Sequence, residues 1–596
     1  MTYYESSHWS VGKMHHGLLL FAQAFEEMLA THSHDSYKVP VLNFHYICYE
    51  TLNVIELVED NVLDRGNLIP LVAEIRSLFD QDEIVRKILG SDFDALFSKK
   101  NSKGEYDRVP LKADTGKEVE QNISNLKKAM RYITAELKRN NQYYKLLIAE
   151  LKSKILEAEK DMLKLDEIYS LTRTIASELI NKGFNQTYIY DCIKACFFNS
   201  ENIVDSIDVL DRFFDNFDLR KKEYVVYLPI NGLKQKKALE EYGGFQIADN
   251  VFEMFDSSIP YILKYKCKKI DPYGARESIL RLINFCLSVS HFIKHNKYDY
   301  NPKYSEIINV SSGAIYFIKR PEQAIVCGYG NCEELQVGEL LDTCLNMQQN
   351  LFQVLQLHSS ALISKNSENQ LINLWTAVEV AIPVIRKDDL SRINQISNVL
   401  STALCDNYFS ILVEQLHHDI KLVCEDAIAK FEGVGINEDI KGKIIATIVL
   451  PENATTYTDI LTLLIDRAPI LACKMHHYKV LWADAKAIST AYKNHAIRLS
   501  QQIMRIYRTR NMLVHNGSSM PYSDYVLQNL HYYIDTYIGF LYKYHKMGYR
   551  SVQSIIDASY LKEQQYLTLL KSSPTIKKEN IRELILREYG MDELSL

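Results

Sequence analysis

The stretch AIRLSQQIMRIYRTRNMLVHNG, residues Ala496 to Gly517, contains no glycine or proline before its last residue. Ile497, Ile503, Met504, Tyr507 and Val514 recur along it as the apolar positions of a helix. Asn516-Gly517 is the chemistry of a helix C-terminus, because glycine enters the left-handed region without a steric penalty. The stretch therefore predicts a long helix that closes at Gly517. Its polar content is unusual: Arg498, Arg505, Arg508 and Arg510 crowd one helix with no acid nearby in the sequence, and Asn511 and His515 follow.

The same logic extends to the whole chain. Only 22 glycines and 13 prolines interrupt 596 residues, so long periodic segments dominate and the fold class is mainly α. The length exceeds what one core supports and implies several domains. Residues 1–105 read as a helical module, with helical spacing in LNFHYICYETLNVIEL (Leu42 to Leu57) and again from Leu68 to Phe79. The polar, glycine-containing stretch Ser98 to Asp107 reads as a loop.

Residues 110–215 hold the most regular pattern. Val119, Ile123, Leu126, Met130, Ile133, Leu137, Asn140, Tyr144, Leu147 and Leu151 alternate spacings of four and three, a heptad seam. The register shifts at Ile155, Ala158, Met162, Leu165 and Tyr169, as a stutter does. Asn140 either sets register in a coiled coil, or Arg139-Asn140-Asn141-Gln142 is the turn between two antiparallel helices. The seam packs either on its own chain or on a second copy.

Residues 216–345 change character. Tyr224 to Ile230, Ile262 to Cys267 and Ala314 to Ile318 are strand-length runs, and Ser278 to His295 reads as a helix, giving a small mixed α/β domain. Helices resume across 351–550, where ENQLINLWTAVEVAIP (Glu368 to Pro383) places Leu371, Leu374, Trp375 and Val378 on one face beside Glu379. Residues 551–596 read as a helical tail, with a charged amphipathic helix from Ile576.

The net charge of −6 excludes a globally basic polyanion binder, so a nucleic-acid site has to be a local patch. Eleven scattered cysteines fit free thiols in a reducing cytoplasm. The N-terminus lacks the basic region of a signal peptide, and no apolar run reaches the roughly 18–20 residues of a membrane span. The chain therefore reads as cytoplasmic, without a membrane partner. CGYGNC (Cys327 to Cys332) has no second ligand pair to complete a zinc site and reads as a turn. The doublets His15-His16, His417-His418 and His476-His477 put neighbouring rings on different faces. GxxxxGK[ST], HExxH and GxSxG motifs are all missing.

A bare Arg-x4-His pair is weak, since roughly 0.6 are expected by chance at this composition. Asn directly after the Arg lowers that to a few hundredths. Asn511 and His515 are four apart on one helix face, and His515 lies near the negative end of the helix dipole. RNMLVH followed by NG resembles the R-N-x-x-x-H signature of HEPN domains, all-helical modules found in prokaryotic ribonucleases, toxins and abortive-infection proteins. The helix ENQLINLWTAVEV resembles the first helix of the HEPN subgroup in ApeA-like antiphage proteins, with Glu379 at a frequently acidic position. On this resemblance residues 351–550 form a HEPN-like bundle with an insertion at about 385–490.

The resemblance implies a metal-independent endoribonuclease that needs no cofactor. The substrate's 2′-hydroxyl attacks the adjacent phosphodiester, leaving 2′,3′-cyclic phosphate and 5′-hydroxyl ends. His515 transfers protons, Arg510 stabilises the charge on phosphorus, and Asn511 orients His515 or the phosphate. Arg498, Arg505 and Arg508 supply positive potential for RNA, and Glu379 supports the site. The family pairs two copies across a dimer, so a homodimer is implied, with the heptad segment as a second contact. RNA, including tRNA, is the partner class. By analogy the N-terminal region restrains the effector until a phage-derived trigger or a neighbouring-gene regulator acts. The alternatives are a non-catalytic HEPN-like RNA-binding module and a helical scaffold or adaptor.

Overall fold

The helix read from Ala496 begins earlier, at Ala485, and ends at Asn516. The Asp484 carboxylate starts it by accepting the Ala487 N–H at 2.7 Å, which satisfies one of the donors a helix leaves open at its N-terminus. Gly517 stops it in the left-handed region (φ 61°), with its N–H on the Leu513 carbonyl at 3.0 Å. These features belong to a computed structural model that describes residues 9, 15–30, 41–100, 106–108, 116–158, 161–199, 201–230, 240, 245–249, 261–294, 304–319, 338, 343, 347, 351–364, 366–384, 391–517, 520–572 and 575–588. Among them the protein is mainly helical, and no helix is long and apolar enough to cross a membrane. Cys327 to Cys332 lie outside the described residues.

The chain forms two compact units, one of residues 1–28, 33–178 and 327–596, the other of residues 29–32 and 179–326. The N-terminal module, most of the heptad stretch and the C-terminal helices, expected as separate segments, thus share one unit. Within it the helix Phe44–Glu59 is capped by Asn43, whose side chain accepts the Tyr46 N–H at 3.1 Å. It buries Ile47, Val54 and Ile55 completely, and Leu68–Gln81 packs beside it. The two ends of the stretch expected as a loop instead form a short antiparallel pair, β1 (Ser98–Lys100) and β2 (Tyr106–Arg108).

The heptad run is broken where its asparagines fall. Asn140 (φ 52°) and Asn141 (φ 56°) both adopt left-handed backbone and separate the helices Gly116–Lys138 and Gln142–Ala158. Asn tolerates that conformation better than other residues with a Cβ. Asn140 is exposed, so of its two readings the turn is the one observed. On either side Met130, Ile133, Leu137, Leu147, Leu151 and Ile155 are buried, and both helices pack on Glu83–Leu89. The seam is satisfied inside the chain, which corrects the coiled-coil and second-dimer-contact expectations.

Six helices between Arg392 and Leu481 fill the segment expected as an insertion. The motif helix Ala485–Asn516 lies against Ser367–Ala381, Arg392–Cys405, Ser523–Lys546 and Val552–Ser572. The charged α-helix expected from Ile576 is not what forms. Among the described residues that stretch holds a 3₁₀ turn at Lys578–Asn580 and a π turn at Arg582–Leu586, which stops at Arg587 (φ 58°).

The second unit starts near residue 179, earlier than the expected boundary at 216. Its five antiparallel strands run in the order β4-β5-β3-β6-β7: β3 (Lys222–Ile230), β4 (Gln246–Asp249), β5 (Tyr261–Lys269), β6 (Tyr304–Asn309) and β7 (Ile315–Lys319). The period of two puts Tyr224, Val226 and Leu228 on the face covered by Ala275, Ile279 and Ile283 of the helix Pro272–Lys294. The three strands read from sequence are present. β4 and β6 carry polar residues within short runs and do not stand out in the sequence.

In the first unit, charge joins the N-terminal helices to the motif helix. Glu50 is 2% exposed and accepts from Arg505 Nε at 3.1 Å and from Arg508 Nη2 at 2.9 Å. Glu74 takes Arg505 Nη2 at 2.7 and 2.8 Å through its two oxygens. Burial pushes the Glu50 carboxyl up, but Arg505 and Arg508 outweigh it and hold it below the ordinary glutamate range. Glu50→Ala leaves two buried guanidiniums short of a counter-charge and is expected to destabilise the fold by about 3–5 kcal/mol in urea titrations at pH 7. The depressed value also fixes a pH window. Stabilisation by Glu50 is complete above about pH 4.5 and is lost as pH falls through the folded pKa. Glu50→Gln is expected to flatten this part of the acid-unfolding profile, read as thermal midpoint against pH.

Candidate functional site

Arginines at different positions of one helix meet different surroundings, and the 100° advance per residue decides which. Arg505 and Arg508, three apart, share the face turned to Glu50 and Glu74 and are 0% and 2% exposed. Arg510 lies about 200° round from Arg508 and is only half-buried. This corrects the expectation that Arg505 and Arg508 face RNA. Their charges are spent on acids that lie more than four hundred positions away in the chain, which made the helix look unneutralised in sequence.

Arg510 keeps its charge available. Its Nη1 donates to Asn511 Oδ1 at 3.0 Å, and its buried Nε has no hydrogen-bond partner among the described residues. No carboxylate there pairs with Arg510 or His515. Asn511 is buried, so it acts as a fixed post that orients one edge of the guanidinium. Orienting Arg510, rather than His515, is the role its geometry shows. His515 stands exposed in the last turn, two residues before the Gly517 stop. The helix end thus presents a positioned cation and an accessible imidazole to solvent, the chemistry needed to hold and protonate an anionic ester.

Arg498 is exposed but lies twelve residues upstream, about 18 Å along the helix axis, so it does not share a patch with Arg510. Its Nη2 reaches the Tyr408 hydroxyl and His495 Nδ1, both at 3.4 Å. Glu379 does not join the site either. It accepts the Trp375 indole N–H at 2.9 Å, and the Trp375 ring packs on Tyr507 at 5.7 Å between centroids. The two helices run antiparallel here: Trp375 meets Tyr507, while Glu368 and Leu371 share a small crevice with Thr509, Leu513 and Ser523. Glu379 therefore falls toward the far end, about 16 Å along its helix from Glu368. Glu368 is the acid that approaches the motif.

Three acids that shape the region were missed. Glu50 carried a usable signal: a lone carboxylate on the buried face of an apolar helix, beside Ile47 and Val54, needs a cation. Glu74 and Glu368 carried none, since each reads as an ordinary surface acid. Comparison of the chain with family models, curated proteins and solved structures finds no match.

The two faces of the motif helix predict opposite mutational behaviour. His515→Ala, at an exposed position, is expected to change stability by no more than about 0.5 kcal/mol. Arg508→Ala is expected to cost about 3–5 kcal/mol, because Glu50 loses a buried partner. Urea denaturation of both variants checks the contrast.

Proposed function

We propose that the chain is a HEPN-type endoribonuclease whose half-site is Arg510, Asn511 and His515. The observation that carries this reading is the selective neutralisation of the motif helix. Arg505 and Arg508 are locked in ion pairs, while Arg510 is held by Asn511 with no acid partner near an exposed His515.

In the proposed reaction the 2′-hydroxyl oxygen bonds to phosphorus and the bond from phosphorus to the 5′-oxygen breaks. An imidazole takes the 2′ proton, and an imidazolium delivers a proton to the departing oxygen. Arg510 donates to the non-bridging oxygens as charge builds on phosphorus. One chain supplies one histidine, so two copies facing each other complete the acid and base pair. The biological setting that fits is an antiphage or toxin system. Its control would act through the Glu50 and Glu74 clamp, since the N-terminal helices hold the motif helix directly.

Purified protein is expected to cleave RNA in EDTA, leaving 2′,3′-cyclic phosphate ends. His515→Ala and Arg510→Ala are each expected to lower the rate at least a hundredfold with unchanged thermal midpoint, in keeping with the loss of a general acid–base or of an oxyanion donor. Cleavage that persists in His515→Ala, or that requires a divalent ion, overturns the proposal. RNA bound without cleavage by the wild type assigns the site to a binding module instead.

A further inference from the structure

The sheet of the second unit has two faces, and its helix Pro272–Lys294 covers one of them. On that side lie Tyr224, Val226 and Leu228 of β3, Ile307 of β6 and Ile318 of β7, with Ser305 accepting from Arg276 Nε of the helix at 2.7 Å. The period of two sends the residues between them to the other face. There the register sets Lys264, Lys266 and Lys268 of β5 beside Tyr227, Val225 and Glu223 of β3, and Glu306 and Ile308 of β6 beside Phe317 and Ile315 of β7. One end of this second face is closed, since Pro229 and Ile262 are buried. The rest is open: Ile315 is 62% and Phe317 47% exposed, and Lys266 and Lys268 reach solvent.

The open part is basic along one strand. Lys264, Lys266 and Lys268 follow one another at about 7 Å on the same side of β5. Lys266 meets Glu223 at 2.7 Å. Lys264 and Lys268 have no carboxylate partner among the described residues, and the Lys264 ammonium stands 6.0 Å from the centre of the Tyr227 ring. Glu306, the other acid of the face, is 5% exposed, and burial pushes its carboxyl up from the ordinary glutamate range. The charge met from solvent is therefore that of the lysines. In a chain of net charge −6 this is the local basic patch that a polyanion requires.

Aromatic rings share the patch. Direct cross-strand partners run in one row from Lys264 through Tyr227 and Glu306 to Phe317. Tyr227 and Phe317 are two strands apart, about 10 Å, so each position has room for its own planar group. A single strand can lay its bases on such rings while its phosphates follow nearby cations, whereas a duplex keeps its base faces stacked inside. An acidic peptide would use the lysines and leave the exposed Phe317 unmatched.

We propose that the open part of this sheet face binds single-stranded nucleic acid, with phosphates on Lys264 and Lys268 and bases stacked on Phe317 and Tyr227. The surface lies within the second unit and does not depend on the ribonuclease reading.

The test is fluorescence anisotropy of the full chain, carrying Arg510→Ala and His515→Ala, with a short fluorescein-labelled oligouridylate over a range of salt concentrations. Saturable binding is expected, at least about tenfold tighter than for an RNA duplex of the same length. Lys264→Gln and Lys268→Gln together are expected to weaken it about tenfold or more. They should also flatten the slope of log affinity against log salt by about 1.4, since each phosphate contact to a single strand contributes about 0.7. Phe317→Ala removes a stacking surface and no charge, so it is expected to weaken binding about fivefold or more with the slope unchanged. Thermal midpoints are expected to stay at the parent value; should Phe317→Ala lower its own, the affinity and slope of the lysine pair carry the decision. No binding of the oligonucleotide, or binding whose affinity and slope the lysine pair leaves unchanged, overturns the proposal. Equal affinity for the duplex overturns the single-strand assignment, and a polyglutamate peptide that binds as tightly through the same lysines overturns the nucleic-acid assignment.

Discussion

Two guanidiniums stripped of water set the terms for the helical unit. Taking Arg505 and Arg508 out of solvent carries a desolvation penalty of several kcal/mol each, which only well-placed carboxylates offset. Glu50 and Glu74 meet that demand with short hydrogen bonds from both arginines. Such a pairing tolerates little displacement, because a buried charge cannot slide from its partner as an apolar side chain slides over another. The N-terminal helices and the motif helix are therefore held in one register, and the Asp484 and Gly517 caps fix the ends of that helix.

One face of the motif helix is occupied in this way, and its other face carries Arg510 without a carboxylate partner among the described residues. Arg510 emerges on the side opposite Arg508, held at one edge by Asn511, with His515 in solvent at the helix end. Toward the other end the same helix contributes His495, Arg498 and Gln502 to a polar cavity. The same helix of 32 residues thus carries the proposed reaction site near its C-terminus and lines the cavity upstream, with the buried ion pairs between them.

The helices, their stops and the strands β3, β5 and β7 were legible because they rest on local rules. Apolar spacing, the scarcity of breakers, Asn516-Gly517 and the β-branched runs act over a few residues and survive in any context. The heptad spacing at 119–151 was also genuine, yet periodicity states only that one face seeks burial and not what buries it. The chain itself does so, and the two asparagines serve as a left-handed break between helices. The strands β4 and β6, with polar residues among their apolar ones, take their conformation from neighbours in the ladder, and their own residues announce little.

The sequence by itself determined a mainly helical protein, a long helix ending at Gly517, and the presence of Arg510, Asn511 and His515 within one and a half turns of it. Tertiary structure alone decided which arginines are chemically free. Four arginines with no acid in sight look equivalent in sequence, since charge neutralisation acts through space and Glu50 and Glu74 lie more than 430 positions before their partners. Only folding brings those carboxylates to Arg505 and Arg508, carries Glu379 away from the motif, and sets Arg498 on the wall of a separate cavity.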